Sequence, residues 1–294
     1  MIWDAGTLLR VLVWGLVTGS VYMLLATGIT LIFGVMKVVN FAHGELMMTG
    51  AFVTFILSHS LGLNPYVGVF VSMAAVGVLG IVIERFGFRR LRGTAKINEI
   101  FFSIALILIL QNALARIFVP RFREYVQIKT PYATEVLDLG LITLRYDFVI
   151  LLALAWAVLL GLWVVLYRTG LGRDVRGTSQ NRTAAMLMGI RVERVDMLTF
   201  GIGAALGALA GSLYGIINPF GPYAGTLPAI KAFAVIILGG LGSVPGAVVG
   251  GLLYGIVESV ATFFLGGSWR DAIAFVLLIV VLLTRPQGLF REGA

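Results

Sequence analysis

Long runs of apolar residues without a charge are the feature that most constrains the fold of this chain. A helix needs about 20 such residues to cross a bilayer core of about 30 Å, and the run Val11–Met36 is longer than that. Only 12% of the residues are charged, against about 25% in a soluble domain. The sequence therefore predicts an all-α integral membrane protein, with a single transmembrane domain over residues 1–294.

Further apolar runs mark the other membrane segments. Three of them are too long or too interrupted for one helix, and glycine or proline divides them: Leu46–Ile83, Met197–Ile230 and Ala232–Val257. Three others read as single spans: Ile100–Val119, Phe148–Tyr167 and Ala272–Thr284. Together these runs predict a polytopic helical bundle of about 8–9 membrane segments, some of them broken or half helices.

The charged residues in the loops predict the orientation. Loop 84–99 carries five basic residues against two acidic ones, and loop 168–196 carries six against three. Loop 116–147 is nearly balanced, with five against four. Basic loops stay in the cytoplasm, so we expect the N-terminus outside and the C-terminus inside. The net charge of +8 is then explained by these loops. It implies a lipid bilayer as the partner, and no nucleic acid.

Glycine recurs every four residues in one of the runs. Because that spacing places residues on one face of a helix, it favours close packing of two helices. The alternative is that glycine is simply common in membrane helices. The four residues of this predicted packing face are Gly203, Gly207, Gly211 and Gly215.

Two segments combine an apolar run, a glycine-bearing break and a second apolar run. They are Leu31–Phe55, broken around Asn40–Glu45, and Ala234–Val257, broken around Gly239–Gly246. Interrupted helices are the best sequence signal of a transporter's path. The polar residues at membrane depth are candidates for lining that path, and they are Asn40, His43, Glu45, Gln111, Asn112 and Glu258.

Structural alternatives exist for these candidates. His43 and Glu45 could belong to an ordinary cytoplasmic helix start, because a Glu in a first turn complements the helix dipole. Glu258 could form a buried structural pair or hydrogen bond.

Several kinds of chemistry are absent from the sequence. None of the four lysines follows a glycine, so the chain has no phosphate-binding loop and no cofactor of its own is expected. There is no cysteine, and the two histidines share no ligand spacing with acids, so no metal site is expected. No catalytic residues are predicted, because no nucleophile is paired with a base.

Loop 168–196 contains a short segment with an apolar face. Ala184, Leu187 and Met188 fall on one side of a helical piece over Thr183–Met188, and Gly189 is a natural helix stop. Such a helix could dock into a groove of another protein. It could equally lie on the membrane interface.

Several stretches resemble the branched-chain amino acid ABC transporter permeases, in particular the shorter, LivH-type subunit. Residues 40–45 read Asn-Phe-Ala-His-Gly-Glu, and residues 239–246 read Gly-Gly-Leu-Gly-Ser-Val-Pro-Gly. The other stretches are 19–26, 173–190, 200–211 and 284–290. The resemblance covers essentially the whole chain.

The resemblance implies a multi-pass permease in the cytoplasmic (inner) membrane of a prokaryote. Its implied partners are a second, longer permease subunit, two cytoplasmic ABC ATPase subunits that carry ATP and Mg²⁺, and an external binding protein that delivers leucine, isoleucine or valine. The chain itself would not be an enzyme. The ATPase-coupling residues implied are Arg182, Thr183, Ala184, Leu187, Met188 and Gly189.

Other functions remain open at this point. Relatives of this family use the same scaffold for urea, amides or other amino acids. A stand-alone secondary transporter would need a coupling site for protons or sodium, and Glu45 and Glu258 are the only acids deep enough to provide one.

Overall fold

The computed structural model describes residues 4–122, 124–138, 140, 142–284 and 288–290. The described part is mostly helical. The helices are α1 (Ala5–Met36), α2 (His43–Leu61), α3 (Pro65–Ile83), α4 (Arg89–Leu91), α5 (Lys96–Phe118), α6 (Tyr146–Arg168), α7 (Gly170–Gln180), α8 (Arg182–Leu187), α9 (Val192–Ile217), α10 (Thr226–Gly239), α11 (Val244–Leu265) and α12 (Arg270–Thr284). A π-helical turn, Glu84–Phe88, joins α3 to α4, and the 3₁₀ turn Gly267–Trp269 precedes α12.

Six of the described helical segments are long and apolar enough to cross a membrane, so the chain is a multi-pass membrane protein. They are Gly6–Met36, Pro65–Leu91, Lys96–Phe118, Tyr146–Arg168, Val192–Ile217 and Val244–Leu265. Helices α2, α10 and α12 are further apolar elements. The count of about 8–9 segments and the orientation of the termini stay predictions.

One strand pair departs from an all-helical chain. β1 (Val136–Asp138) and β2 (Thr143–Arg145) form an antiparallel hairpin within loop 116–147, with Leu137 opposite Leu144. The prediction covered helices only, because three-residue strands are too short to show a period. The C-terminal stretch 284–290 that contributed to the resemblance lies partly outside the described residues.

Helices α1 and α9 form the centre of the bundle. α1 packs against α11, α9 and α10, while α9 packs against α3, α2 and α1. Helices α5 and α6 lie at the periphery and expose apolar side chains such as Leu108 and Leu160. The core is thus built around two helices that are buried on most sides.

The four glycines of α9 lie at its contacts with other elements. A Cβ atom at Gly203 would come 2.9 Å from the carbonyl oxygen of Gly28 on α1. One at Gly211 would overlap the carbonyl oxygen of Met47 on α2. A Cβ atom at Gly207 would lie close to the His43 ring, and one at Gly215 would lie close to the Phe220 ring. This face of α9 therefore has no room for side chains.

The two predicted breaks are real interruptions, and their limits differ slightly from the sequence pattern. α1 ends at Met36, and the non-helical stretch covers residues 37–42, so His43 and Glu45 belong to the first turn of α2. The second interruption covers 240–243, between α10 and α11. Lys37 closes α1 in a left-handed conformation with φ 56°. Asn40, in the first interruption, is buried.

Candidate functional site

Two helix N-termini meet inside the bundle. Gly44, in the first turn of α2, and Gly225, which precedes α10, are both buried. A Cβ atom on either glycine would overlap the backbone carbonyl of the other. Only glycine allows this approach, so the pair brings the starts of two interrupted helices into contact.

Glu45 lies beside this junction and is only 2% exposed. Its Oε1 accepts a hydrogen bond of 2.9 Å from the Gln111 side chain on α5. The same Gln111 amide nitrogen also lies 3.3 Å from the hydroxyl oxygen of Thr226, at the start of α10. Oε2 of Glu45 has no hydrogen-bond partner among the described residues. Three elements that are remote in sequence thus converge on one carboxylate.

A small polar area covers this carboxylate on the outer surface of the molecule. Gln111 is partly exposed and Thr226 is exposed, while their apolar neighbours Leu108 and Leu227 are also exposed. Polar groups facing hydrocarbon are costly, so they generally face protein or a water-filled cavity. We call the area formed by Gln111 and Thr226 over Glu45 the polar window.

The other two residues predicted around the first break, Asn40 and His43, are also buried. His43 is fully buried between α1 and α9, close to Gly28 and Gly207. Neither of its ring nitrogens has a partner among the described residues. Asn40 accepts a hydrogen bond of 3.1 Å from the backbone of Ala42. Asn40 therefore stabilises the turn that leads into α2, and the His43 ring packs between α1 and α9.

The side chain of Asn112 does not reach Glu45. Its side chain is exposed and donates a 2.8 Å hydrogen bond to the carbonyl oxygen of Leu108 in its own helix. Neighbouring residues of a helix point about 100° apart, so Asn112 and Gln111 cannot share one target.

Glu258 belongs to a separate cluster of charges. Its Oε1 lies 2.6 Å from Lys231 Nζ and 2.9 Å from Arg270 Nε, and the Tyr22 hydroxyl donates to it at 3.4 Å. Lys231 also pairs with Asp271 at 2.7 Å. The cluster joins α1, α10, α11 and α12, which is the buried pairing proposed as the structural alternative for Glu258.

Lys231 is a membrane-depth residue of this cluster that was not among the predicted site residues. A lysine inside the apolar segment Leu227–Gly239 was a usable signal, because charges at membrane depth pair with one another.

The predicted coupling segment forms a short helix on the surface. The Asn181 side chain caps α8 by accepting a hydrogen bond from the Ala184 backbone at 2.9 Å. Gly189 ends it in a left-handed conformation with φ 82°. Helix α8 begins at Arg182, one residue before the predicted start, and Met188 is its C-cap. Leu187 and Met188 are 84% and 82% exposed.

Ion pairs connect α8 to α9 and to the segment that follows α3. The carboxylate of Asp196, buried at the start of α9, is held by both Arg182 and Arg92. Arg92 and Arg89 also reach the buried Glu84, at 3.4 and 2.8 Å. Along the sequence, loops 84–99 and 168–196 are separate basic segments, whereas the pair between Arg92 and Asp196 connects them.

Metal-ligating side chains do not cluster in the part of the chain that the structure describes. Within it, no group of three or more His, Cys, Asp and Glu residues is placed to hold a metal ion.

Comparison with solved structures supports the fold. A chain of PsaBC from Streptococcus pneumoniae in complex with Fab has a similar structure, with a TM-score of 0.51 over 93% of this chain and 91% of that one. The two are 17% identical in sequence, so the likeness concerns the fold alone.

Sequence comparisons identify the family. Residues 11–282 match the family described as branched-chain amino acid transport system, permease component. The permease protein BraD of the high-affinity branched-chain amino acid transport system of Pseudomonas aeruginosa is 35% identical, over 96% of this chain and 95% of that protein. The permease protein LivH of the corresponding Escherichia coli system is 33% identical, over 94% and 92%. The chain therefore belongs to the permease component family of the branched-chain amino acid transport systems.

Proposed function

We propose that this chain is the membrane-spanning permease subunit of an ATP-driven ABC importer that moves leucine, isoleucine and valine into the cell. The observation that carries the proposal is the end of α8, where the apolar residues Leu187 and its C-cap Met188 are 84% and 82% exposed. Exposed apolar residues at the tip of a basic loop fit a groove on another protein. Family membership and the missing phosphate-binding loop agree with an ATPase on a separate polypeptide.

The proposal includes four kinds of partner. A second, longer permease subunit would complete the pathway, and two cytoplasmic ABC ATPase subunits would bind ATP and Mg²⁺. An external binding protein would deliver the amino acid. This chain would hold no cofactor, and it would not be an enzyme itself.

We also propose how movement reaches the membrane. Arg182 at the start of α8 is paired with Asp196 in the first turns of α9, and α9 is packed without side-chain space against α1 and α2. A displacement of α8 by an ATPase would therefore move α9 as a rigid body. Because Arg92 pairs with Asp196 on α9, the arginine-rich end of the α3–α4 segment would move with it.

Reconstitution of the complete complex tests the function. With both permeases, the ATPases and the binding protein in proteoliposomes, we expect uptake of radiolabelled leucine that requires ATP and the binding protein. Uptake driven by an ion gradient without the ATPases would instead identify a secondary transporter. Uptake of urea or an amide, with none of the three amino acids, would contradict the proposed substrate.

Cysteine labelling tests the orientation, with the N-terminus outside and the C-terminus inside the cytoplasmic membrane of a prokaryote. The chain has no cysteine, so a single introduced one reports its side cleanly. We expect Tyr132→Cys, in the loop with balanced charges, to react with an impermeant maleimide in sealed cells. Gln180→Cys, in the basic loop, should react only after the membrane is opened. Labelling of Gln180→Cys in sealed cells would show that the chain has the opposite orientation.

A further inference from the structure

Glu45 and Glu258 are both buried acids at membrane depth, but their partners differ. Oε1 of Glu258 forms ion pairs with Lys231 and Arg270. Among the described residues, no lysine, arginine or histidine lies within ion-pair distance of Glu45, whose side-chain partner is the neutral amide of Gln111. A buried carboxylate that is ionised is normally paired with a positive group, and Glu45 has none among the described residues, in contrast to Glu258.

The free carboxylate oxygen and its surroundings suggest which cation fits. Oε2 of Glu45 has no hydrogen-bond partner among the described residues, and an ammonium group is a compact donor of hydrogen bonds. The start of α10 lies close by, since Thr226 shares the Gln111 amide with Glu45. Helix N-termini attract carboxylates. A negative site next to a helix N-terminus therefore matches both charges of an amino-acid zwitterion.

The polar window is the nearest exposed surface to this carboxylate. Gln111, which is partly exposed, donates a hydrogen bond to Glu45 from that surface. The exposed side chains around the window, Leu108 and Leu227, are apolar and would accommodate an aliphatic side chain.

We propose that Glu45 binds the α-ammonium group of the transported amino acid as it passes the polar window, with the N-terminus of α10 facing its α-carboxylate. The inference rests on the proposed function and names the group in this chain that recognises the cargo. The competing role for Glu45 is structural: a carboxylate in the first turn of α2 that stabilises the helix start.

The test uses the complete complex in proteoliposomes and compares Glu45→Gln with wild type. Two readouts are measured on the same preparation: leucine uptake, and ATP hydrolysis stimulated by the loaded binding protein. Because a hydrogen bond to a charged group is lost, we expect uptake to fall about tenfold or more. Stimulated hydrolysis should stay near the wild-type rate, because α8 packs against α7 and α9 whereas the Glu45 side chain contacts Gln111 on α5. Glu45→Asp, which keeps the charge, should recover part of the uptake.

Thr49→Val is the matched control. Thr49 lies one turn further along α2 and its hydroxyl bonds the backbone carbonyl of Glu45 at 2.7 Å, so this variant removes a polar group from the same helix without changing charge. We expect near-normal uptake from it.

Each other outcome overturns the proposal. Normal uptake by Glu45→Gln would show that the charge is not used. A Glu45→Gln complex that loses stimulated hydrolysis together with uptake, or that does not assemble, would show the structural role instead. A wild-type complex that takes up no amino acid would overturn the proposed function as well. Because wild type is measured beside Glu45→Gln, that result can be told apart from one in which only the role of Glu45 is wrong.

Discussion

Leu187→Asp is expected to give a permease that inserts into the membrane and no longer drives uptake. Leu187 is the most exposed large apolar residue described here, and docking would transfer its side chain into a groove of the ATPase. An unpaired carboxylate in a dry groove is costly, and about 3 kcal/mol already weakens binding roughly a hundredfold. Co-purification of the ATPase and ATP hydrolysis stimulated by the binding protein measure the loss.

Ile97→Asp is the matched control for this prediction. Ile97 lies in the other basic loop, 84–99, and is also an exposed apolar residue. We expect the control to retain the ATPase and most of its stimulated hydrolysis. The opposite pattern, with normal coupling in Leu187→Asp and none in Ile97→Asp, would place the ATPase contact in loop 84–99.

Gly211→Ala is expected to prevent stable folding. Gly211 is buried on α9, and an added methyl group would overlap the carbonyl oxygen of Met47 on α2. Overpacking typically costs about 1–3 kcal/mol where side chains can move aside. Here the obstacle is backbone within a helix, so the cost should exceed that range. Recovery of monodisperse protein after extraction in detergent, and its unfolding temperature, report the effect.

Gly161→Ala separates packing from helix propensity. Gly161 is also a helical glycine, on α6, but among the described residues only its own helix backbone would lie within 4 Å of an added Cβ atom. Since alanine is the better helix former by about 1 kcal/mol, this variant should be as stable as wild type or slightly more stable. If Gly211→Ala were equally stable, the close approach of α9 to α2 would be wrong.

Local properties of the chain could be predicted well from the sequence. Apolar runs located the long helices, and turn residues such as Asn64 and Pro65 marked their limits, because length, hydropathy and backbone restriction act within a few residues. The residues Asn40–Glu45 allowed two interpretations, a break that lines the path and an ordinary helix start. The structure has the helix start, because α2 begins at His43 and Glu45 lies in its first turn.

Site residues were harder to assign because their partners are distant in sequence. Gln111 and Asn112 look equivalent as neighbouring amides, yet only Gln111 reaches Glu45. Glu258 and Lys231 lie on different helices, and their pairing follows from the packing of α10 against α11. Arg92 and Asp196 likewise connect two loops that the sequence shows only as separate basic segments.

The sequence by itself determined that the chain is a membrane-embedded helical bundle with interrupted helices, and its motifs identified the family. Those conclusions depend on hydropathy, charge and spacing along one segment at a time. Only the tertiary structure decided that Glu45 has no cationic partner within the described part of the chain while Glu258 has two, and that ion pairs hold α8 against α9. Such facts depend on which helix faces turn toward each other, and that orientation is set by packing over the whole bundle, chiefly at glycine contacts such as Gly44 with Gly225.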